Sequence, residues 1–171
     1  NGGTEVGRYD VKLKLRDDAN YYWEGKEKDV SVITVDFNIS AAENKWTAEP
    51  SIEGWTYGES ANAPSYGAKF GSVTVEYKKA SEPDSAYSAS VPANAGDYNV
   101  RLSVAATKNF GGLTKALDFT IAKASVAIPT VPEKVYTGEV QTADITDGEH
   151  YTVSENNGGT EVGRYDVKLK L

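Results

Sequence analysis

The sequence predicts a mostly β protein built from small tandem modules, and three observations carry this prediction. Apolar and polar residues alternate through many short segments. Clusters of Gly, Asn, Asp and Pro separate these segments, and no long segment has a helical period. The third observation is repetition, because residues 1–15 and residues 157–171 both read NGGTEVGRYDVKLKL.

The exact repeat fits two explanations, a tandem array of near-identical units or a deliberate duplication of one strand, and we favour the array. A weaker repeat lies inside it, since VGRYDVKLKLRDDANY (6–21) aligns without a gap to AGDYNVRLSVAATKNF (95–110). The weaker repeat divides the period into two related modules of roughly 78 residues, near the lower size limit for independent folding.

The first predicted strands precede residue 41. Segment 9–15 alternates Tyr, Val, Leu and Leu with charged residues, which is typical of a half-buried strand. Segment 30–39 (VSVITVDFNI) is a long run rich in β-branched residues.

The next predicted strands are 72–78 (SVTVEYK), 98–104 (YNVRLSV) and 113–121 (LTKALDFTI), which alternate in the same way. Segments 124–128 (ASVAI) and 150–155 (HYTVSE) are predicted as two more strands. One short helix per module is an open possibility, near 59–70 and 139–146.

The internal repeat also predicts the domain organisation. Residues 1–41 form the C-terminal part of one module, residues 42–123 form a complete module, and residues 124–171 form the N-terminal part of a further module. The links at 40–46 and 122–126 carry no Gly or Pro, so we expect a fixed orientation between neighbouring modules. We expect residues 42–123 to fold alone. Their predicted core stripe is Val73, Val75, Tyr77, Tyr98, Val100, Leu102, Val104, Phe119 and Ile121.

Three short motifs give the chain a family resemblance. They are a Tyr-Gly-Glu or Tyr-Thr-Gly-Glu turn (57–59 and 136–139), a Gly-x-Tyr-x-Val strand (7–11 and 96–100) and a closing Phe-x-Ile strand (37–39 and 119–121). The chain resembles the bacterial surface repeats called MBG (mostly beta-grasp) domains. The resemblance implies tandem beta-grasp-like modules of secreted or wall-anchored proteins, without catalytic residues. The alternation itself leaves immunoglobulin-like β-sandwich modules open as the alternative.

Composition excludes several classes of chemistry. The chain has no Cys and one His, His150, so disulfides, thiol catalysis and Cys-based metal sites are excluded. A net charge of −7 argues against nucleic acid as a partner. No apolar run approaches the roughly 18 residues of a membrane span. We therefore predict no enzyme activity, no catalytic residue, no cofactor and no metal.

The acidic residues carry no recognisable site. Asp17, Asp18 and Asn20 offer clustered oxygens of the kind that Ca²⁺ prefers. The aligned segment of the sister module has Ala106 and Thr107 at the acidic positions, so the acidic pair is not part of the shared scaffold. Asn20 and Asn109 are shared, and we interpret both as loop-forming residues.

Tyr21, Tyr22 and Trp23 are the candidate ligand-contact residues. Three consecutive aromatic residues cannot all point inward from a strand or loop, so at least one is expected to be exposed and able to stack on a sugar or anchor a partner. The simpler interpretation is that the ring matching Phe110 lies in the core and the others pack on a neighbouring module. Trp46 and Trp55 are expected at a module junction or in the core.

The sequence thus predicts a non-enzymatic spacer or stalk repeat of a secreted or cell-wall-attached, adhesin-like bacterial surface protein, located outside the cell. The alternative is a module that binds a carbohydrate or host ligand through exposed aromatics. The expected partners are neighbouring repeat modules. We also expect head-to-tail self-association, in which residues 124–171 of one molecule complete residues 1–41 of the next.

Overall fold

The computed structural model describes residues 2–171, and it confirms the mostly β prediction. The described residues form ten β-strands and one short 3-10 helix, Asp84–Ala86. They divide into an N-terminal unit that ends at Lys123 and a C-terminal unit, Ala124–Leu171. Neither of the two possible helices forms: 59–70 contains a strand, and 139–146 contains only bends, irregular backbone and an isolated bridge residue.

An antiparallel hairpin of β1 (Gly7–Lys14) and β2 (Val32–Ile39) opens the N-terminal unit. In its register Tyr9 lies opposite Phe37, and their rings stack with centroids 5.6 Å apart. We call these two strands the N-terminal hairpin.

The segment 42–123, which we continue to call the complete module, contains two sheets. Its strands are β3 (Trp46–Ser51), β4 (Trp55–Thr56), β5 (Ser65–Ala68), β6 (Thr74–Lys79), β7 (Gly96–Val104) and β8 (Leu113–Ala122). β3 pairs with β5, and the larger sheet has the order β4-β8-β7-β6. β4 runs parallel to β8, whereas the other two pairs in that sheet are antiparallel.

The core of the complete module follows the predicted stripe. β7 buries every second side chain because successive side chains of a strand point to opposite faces. The fully or nearly fully buried residues of the stripe are Tyr77, Tyr98, Val100, Leu102, Val104, Phe119 and Ile121, and Val73 and Val75 pack against them partly exposed. Trp55, expected at a module junction or in the core, lies in this core, and its ring stacks on Phe119 with centroids 5.2 Å apart.

The β7–β8 hairpin repeats the register of the N-terminal hairpin. Tyr98 lies opposite Phe119 as Tyr9 lies opposite Phe37, and the centroids of Tyr98 and Phe119 are 5.7 Å apart. The aligned sequences therefore form hairpins with the same pairing.

The C-terminal unit contains one strand pair, β9 (Thr152–Asn156) with β10 (Val167–Lys170). The pairing is antiparallel and has an irregularity between Lys168 and Leu169. The predicted strand 124–128 does not form. A strand needs a hydrogen-bonded neighbour, and residues 124–128 pair with no other segment of the part of the chain that is described.

Candidate functional site

The candidate site is the contact between the N-terminal hairpin and the complete module, which we call the junction. It consists of Glu5 and Val6 before β1, Ala42 after β2, and Asn109 and Phe110 in the loop between β7 and β8. Thr107 closes this loop locally, because its backbone N–H donates to the carbonyl of Phe110 at 2.9 Å.

Asn109 binds two segments at once. Its side-chain Oδ1 accepts a hydrogen bond from the backbone N–H of Val6 at 2.9 Å, and its Nδ2 donates to the carboxylate of Glu5. Its backbone carbonyl accepts from the N–H of Ala42 at 2.8 Å, and Ala42 forms a parallel bridge with Phe110. Both chain segments that enter and leave the N-terminal hairpin are therefore held by one loop of the complete module.

A tyrosine positions Glu5 for this contact. The hydroxyl of Tyr9 donates to the carbonyl of Glu5 at 2.7 Å. The same bond joins Tyr98 to the carbonyl of Asn94 at 2.9 Å and Tyr165 to the carbonyl of Glu161 at 2.9 Å. Each Gly-x-Tyr motif thus fixes the turn four residues before it.

Asn44 anchors the start of the complete module close to the junction. Its Nδ2 donates to the carbonyls of Phe70 and Gly111, both at 3.1 Å. Its Oδ1 accepts from the backbone N–H of Lys45 at 3.0 Å and of Phe70 at 3.1 Å. This buried amide therefore uses both donors and both acceptor positions, and it ties the first strand to the ends of two others.

Of the predicted contact residues, Tyr21 and Tyr22 lie exposed side by side in the loop between β1 and β2. Trp23 is half-buried, and its indole N–H donates to the carbonyl of Ser31 at 3.3 Å. The ammonium of Lys28 lies 5.6 Å from the centre of the Tyr22 ring. Trp23 thus has a role within its own loop, whereas the two tyrosines form an aromatic patch that solvent reaches.

The acidic residues considered for Ca²⁺ binding, Asp17 and Asp18, include one carboxylate that is bound within its own loop. The carboxylate of Asp17 accepts from the backbone and the side-chain amide of Asn20, and the side-chain bond is the main cause that lowers the pKa of Asp17. Among residues 2–171 no three His, Cys, Asp or Glu side chains are grouped as a metal site would require. His150 is exposed beside Glu149.

Sequence reasoning missed the roles of Asn44 and Asn109. The gap-free alignment of Asn20 with Asn109 points to the loop, but the two side chains differ in their partners: Asn109 binds Val6 and Glu5, whereas Asn20 binds Asp17. Nothing in the sequence around Asn44 distinguishes it from an exposed asparagine.

Comparisons with known proteins found no matching family model, no matching curated protein and no matching solved structure. In the described part of the chain, no helix has the length and apolar character needed to cross a membrane.

Proposed function

We propose that this chain is a non-enzymatic spacer of a secreted or wall-attached bacterial surface protein, in which successive modules are held in a fixed orientation. The junction is the observation that carries this proposal. Its hydrogen bonds join the two ends of one hairpin to a single loop of the next module, and such a contact resists bending. The acidic, Cys-free composition suits an exported protein that needs no redox partner.

For the module itself, we infer an immunoglobulin-like sandwich in preference to a beta-grasp sheet. Immunoglobulin-like domains carry a tyrosine near the start of a late strand whose hydroxyl binds the backbone a few residues upstream. The bond from Tyr98 to Asn94 has this form. The side chain of Trp46, on the small β3-β5 sheet, packs against the core of the larger sheet, which supports a two-layer arrangement.

Replacing Asn109 by alanine is expected to loosen the junction while leaving the complete module folded. The change removes two side-chain hydrogen bonds, one of them to a carboxylate, at a cost of roughly 1–3 kcal/mol in docking free energy. Because the chain lacks Cys, spin labels can be placed at Glu24→Cys and Ser81→Cys, and their distance distribution measured by pulsed electron resonance. We expect a narrow distribution in the parent and a broad one in Asn109→Ala.

Asn20→Ala is the matched control, because Asn20 occupies the aligned position but its side chain binds only Asp17. The control should keep the narrow distribution. An Asn109→Ala chain with an unchanged distribution would remove the support that the junction gives to a rigid spacer.

The exposed pair of Tyr21 and Tyr22 favours a second candidate function, binding of a carbohydrate or host ligand. Adjacent exposed rings provide faces on which a sugar ring can stack. A glycan array identifies a ligand, and the double change Tyr21→Ser and Tyr22→Ser should then weaken its binding roughly tenfold or more. Tyr57→Ser, at an exposed tyrosine of the complete module, is the control. Equal binding by all three chains would exclude the aromatic patch as the ligand site.

A further inference from the structure

The N-terminal hairpin leaves uncovered the apolar face that the complete module buries. Phe37 is 41% exposed, whereas Phe119, which occupies the same register position, is 7% exposed. In the complete module the rings of Trp55 on β4 and Tyr77 on β6 contact Phe119, whereas among the described strands β1 and β2 pair only with each other. The hairpin thus lacks the neighbours that cover this face in the complete module.

The C-terminal unit of the described chain has a strand equivalent to β6 but lacks one equivalent to β8. β10 pairs with β9 as β7 pairs with β6, and the ion pair between Lys168 and Glu155 matches the one between Arg101 and Glu76. In the described residues no strand occupies the other edge of β10. Tyr165 is accordingly 45% exposed, whereas its counterpart Tyr98 is 5% exposed. A cleft of the same unit has a mixed polar and apolar lining, and Val135, Tyr136, Val162, Tyr165 and Val167 supply apolar side chains to it.

Because of the exact repeat, the C-terminal unit contains a strand segment that can pair with β2. The partner of β2 in the N-terminal hairpin is Gly7–Lys14, and the same eight residues recur as 163–170. We propose that β2 of one molecule pairs with residues 163–170 of a second copy of this chain, in the register that it now has with β1. Residues 1–15 of the first molecule are released, and the strands β9, β10 and β2 form a sheet equivalent to β6, β7 and β8.

Each contact that β2 loses when β1 is released is replaced by an equivalent contact with the second copy. The exchange also covers apolar side chains that are now exposed. Asp36 pairs with Arg8 at 2.9 Å, and the second copy offers Arg164, an exposed residue in the identical sequence position. Phe37 can stack on Tyr165 as it now stacks on Tyr9. The additional gain is burial of exposed apolar side chains of the C-terminal unit, among them Tyr165, against exposed apolar side chains of β2, among them Phe37.

The contacts of the junction can also form with the second copy. Glu161 and Val162 repeat Glu5 and Val6, and the bond from Tyr165 already holds the carbonyl of Glu161 as Tyr9 holds that of Glu5. Val162 is exposed in the C-terminal unit. Asn109 of one molecule can therefore bind the second copy at Val162 and Glu161, which continues an interface already present within the chain.

Geometry favours a second copy over closure within one chain. The first residue of the complete module, Ala42, lies at the β7–β8 loop, and Lys123 follows the far end of β8, about 33 Å away. β1 and β2 extend for about 26 Å between the junction and the loop that joins them. If the C-terminal unit closed on the hairpin of its own chain, Ala124 would take the place that Ala42 has in the complete module. It would then have to lie at the loop between β1 and β2 while still bonded to Lys123. The contact therefore propagates from molecule to molecule as an open chain. The proposal does not depend on the spacer function.

The duplicated sequence allows identical substitutions to be compared at two places in the 171-residue chain. Tyr165→Ser with Val167→Asp alters only the incoming strand, and Tyr9→Ser with Val11→Asp alters only the strand that is released. We expect the parent to form oligomers in sedimentation as its concentration rises from about 1 µM to about 1 mM. The first variant should weaken association roughly tenfold or more, and the second should maintain or strengthen it. A monomeric parent, or equal weakening by both variants, would overturn the proposal.

A cross-linking measurement tests the register without relying on destabilised variants. Val11 lies opposite Val35 in the N-terminal hairpin, so Val167 of a second copy should lie opposite Val35 after exchange. Chains carrying Val35→Cys and chains carrying Val167→Cys are mixed and oxidised. The mixed disulfide should exceed the twofold excess over each homodimer that random pairing gives, whereas a mixture with Val91→Cys in place of Val167→Cys should show only the random proportions. A statistical distribution of the three products in both mixtures would contradict the proposed pairing.

Discussion

Val100→Asp is expected to unfold the complete module. Val100 is fully buried at the centre of β7, between β6 and β8, and no basic side chain is among the residues of its core cluster. An unpaired carboxylate at such a site costs about 3–5 kcal/mol or more, which is comparable with the whole stability of a small module. We expect the cooperative thermal transition to disappear, as measured by circular dichroism and by the fluorescence of Trp55.

The matched control is Val91→Asp, the same chemical change at a half-exposed valine of the same module. Its carboxylate remains in water, so the change in stability should stay within about 0.5 kcal/mol. If Val100→Asp instead melts cooperatively near the temperature of the parent chain, the burial of β7 would be refuted.

The alternation of the sequence was sufficient to predict the buried stripe. In β7 each second side chain must point to the same face, so the pattern Tyr98, Val100, Leu102 identifies the core side without knowledge of the neighbouring strands. The internal repeat aligns β1 with β7 without a gap, and the two hairpins have a common register, since a shift by one residue would turn every apolar side chain outward.

The strands that were not predicted from the sequence show little alternation of apolar and polar residues. β3 (Trp46–Ser51) contains Pro50 and alternates poorly, β4 is two residues long, and β5 (Ser65–Ala68) contains Gly67. These strands form because neighbouring segments offer hydrogen-bonding edges, which a local pattern does not encode. Residues 124–128 show the reverse situation. Their composition favours a strand, but no strand forms because they have no pairing partner among the described residues of their unit.

The junction was harder to predict than the core. Asn109 acts on Val6, more than one hundred positions away in the chain, and this contact depends on how the β7–β8 loop meets the start of β1. Only the shared asparagine of the internal repeat pointed to the loop. The exposed tyrosines, in contrast, followed from a local argument, because three consecutive aromatic residues cannot all be buried.

Asn44→Ala is expected to destabilise the complete module by about 2–4 kcal/mol, since it leaves backbone groups of Phe70 and Gly111 without their partner. A buried group that loses its hydrogen bond contributes about 1–3 kcal/mol, and the sum is reduced because Phe70 is only half-buried and Gly111 is exposed. Urea unfolding should therefore show a lower midpoint with an unchanged slope, which indicates lost stability without a change in the surface exposed on unfolding.

Two further variants separate the amide of Asn44 from a general effect of losing an asparagine. Asn62→Ala removes an exposed amide that donates to the carbonyls of Glu53 and Gly54, so its cost should be below about 1 kcal/mol. Asn44→Asp keeps the acceptor for the N–H of Phe70 but places a carboxylate against the carbonyls of Phe70 and Gly111, and it should be at least as harmful as alanine at neutral pH. An aspartate variant as stable as the parent would mean that the two donated bonds contribute nothing, and Asn44 would then not be the anchor that fixes the start of the module beside the junction.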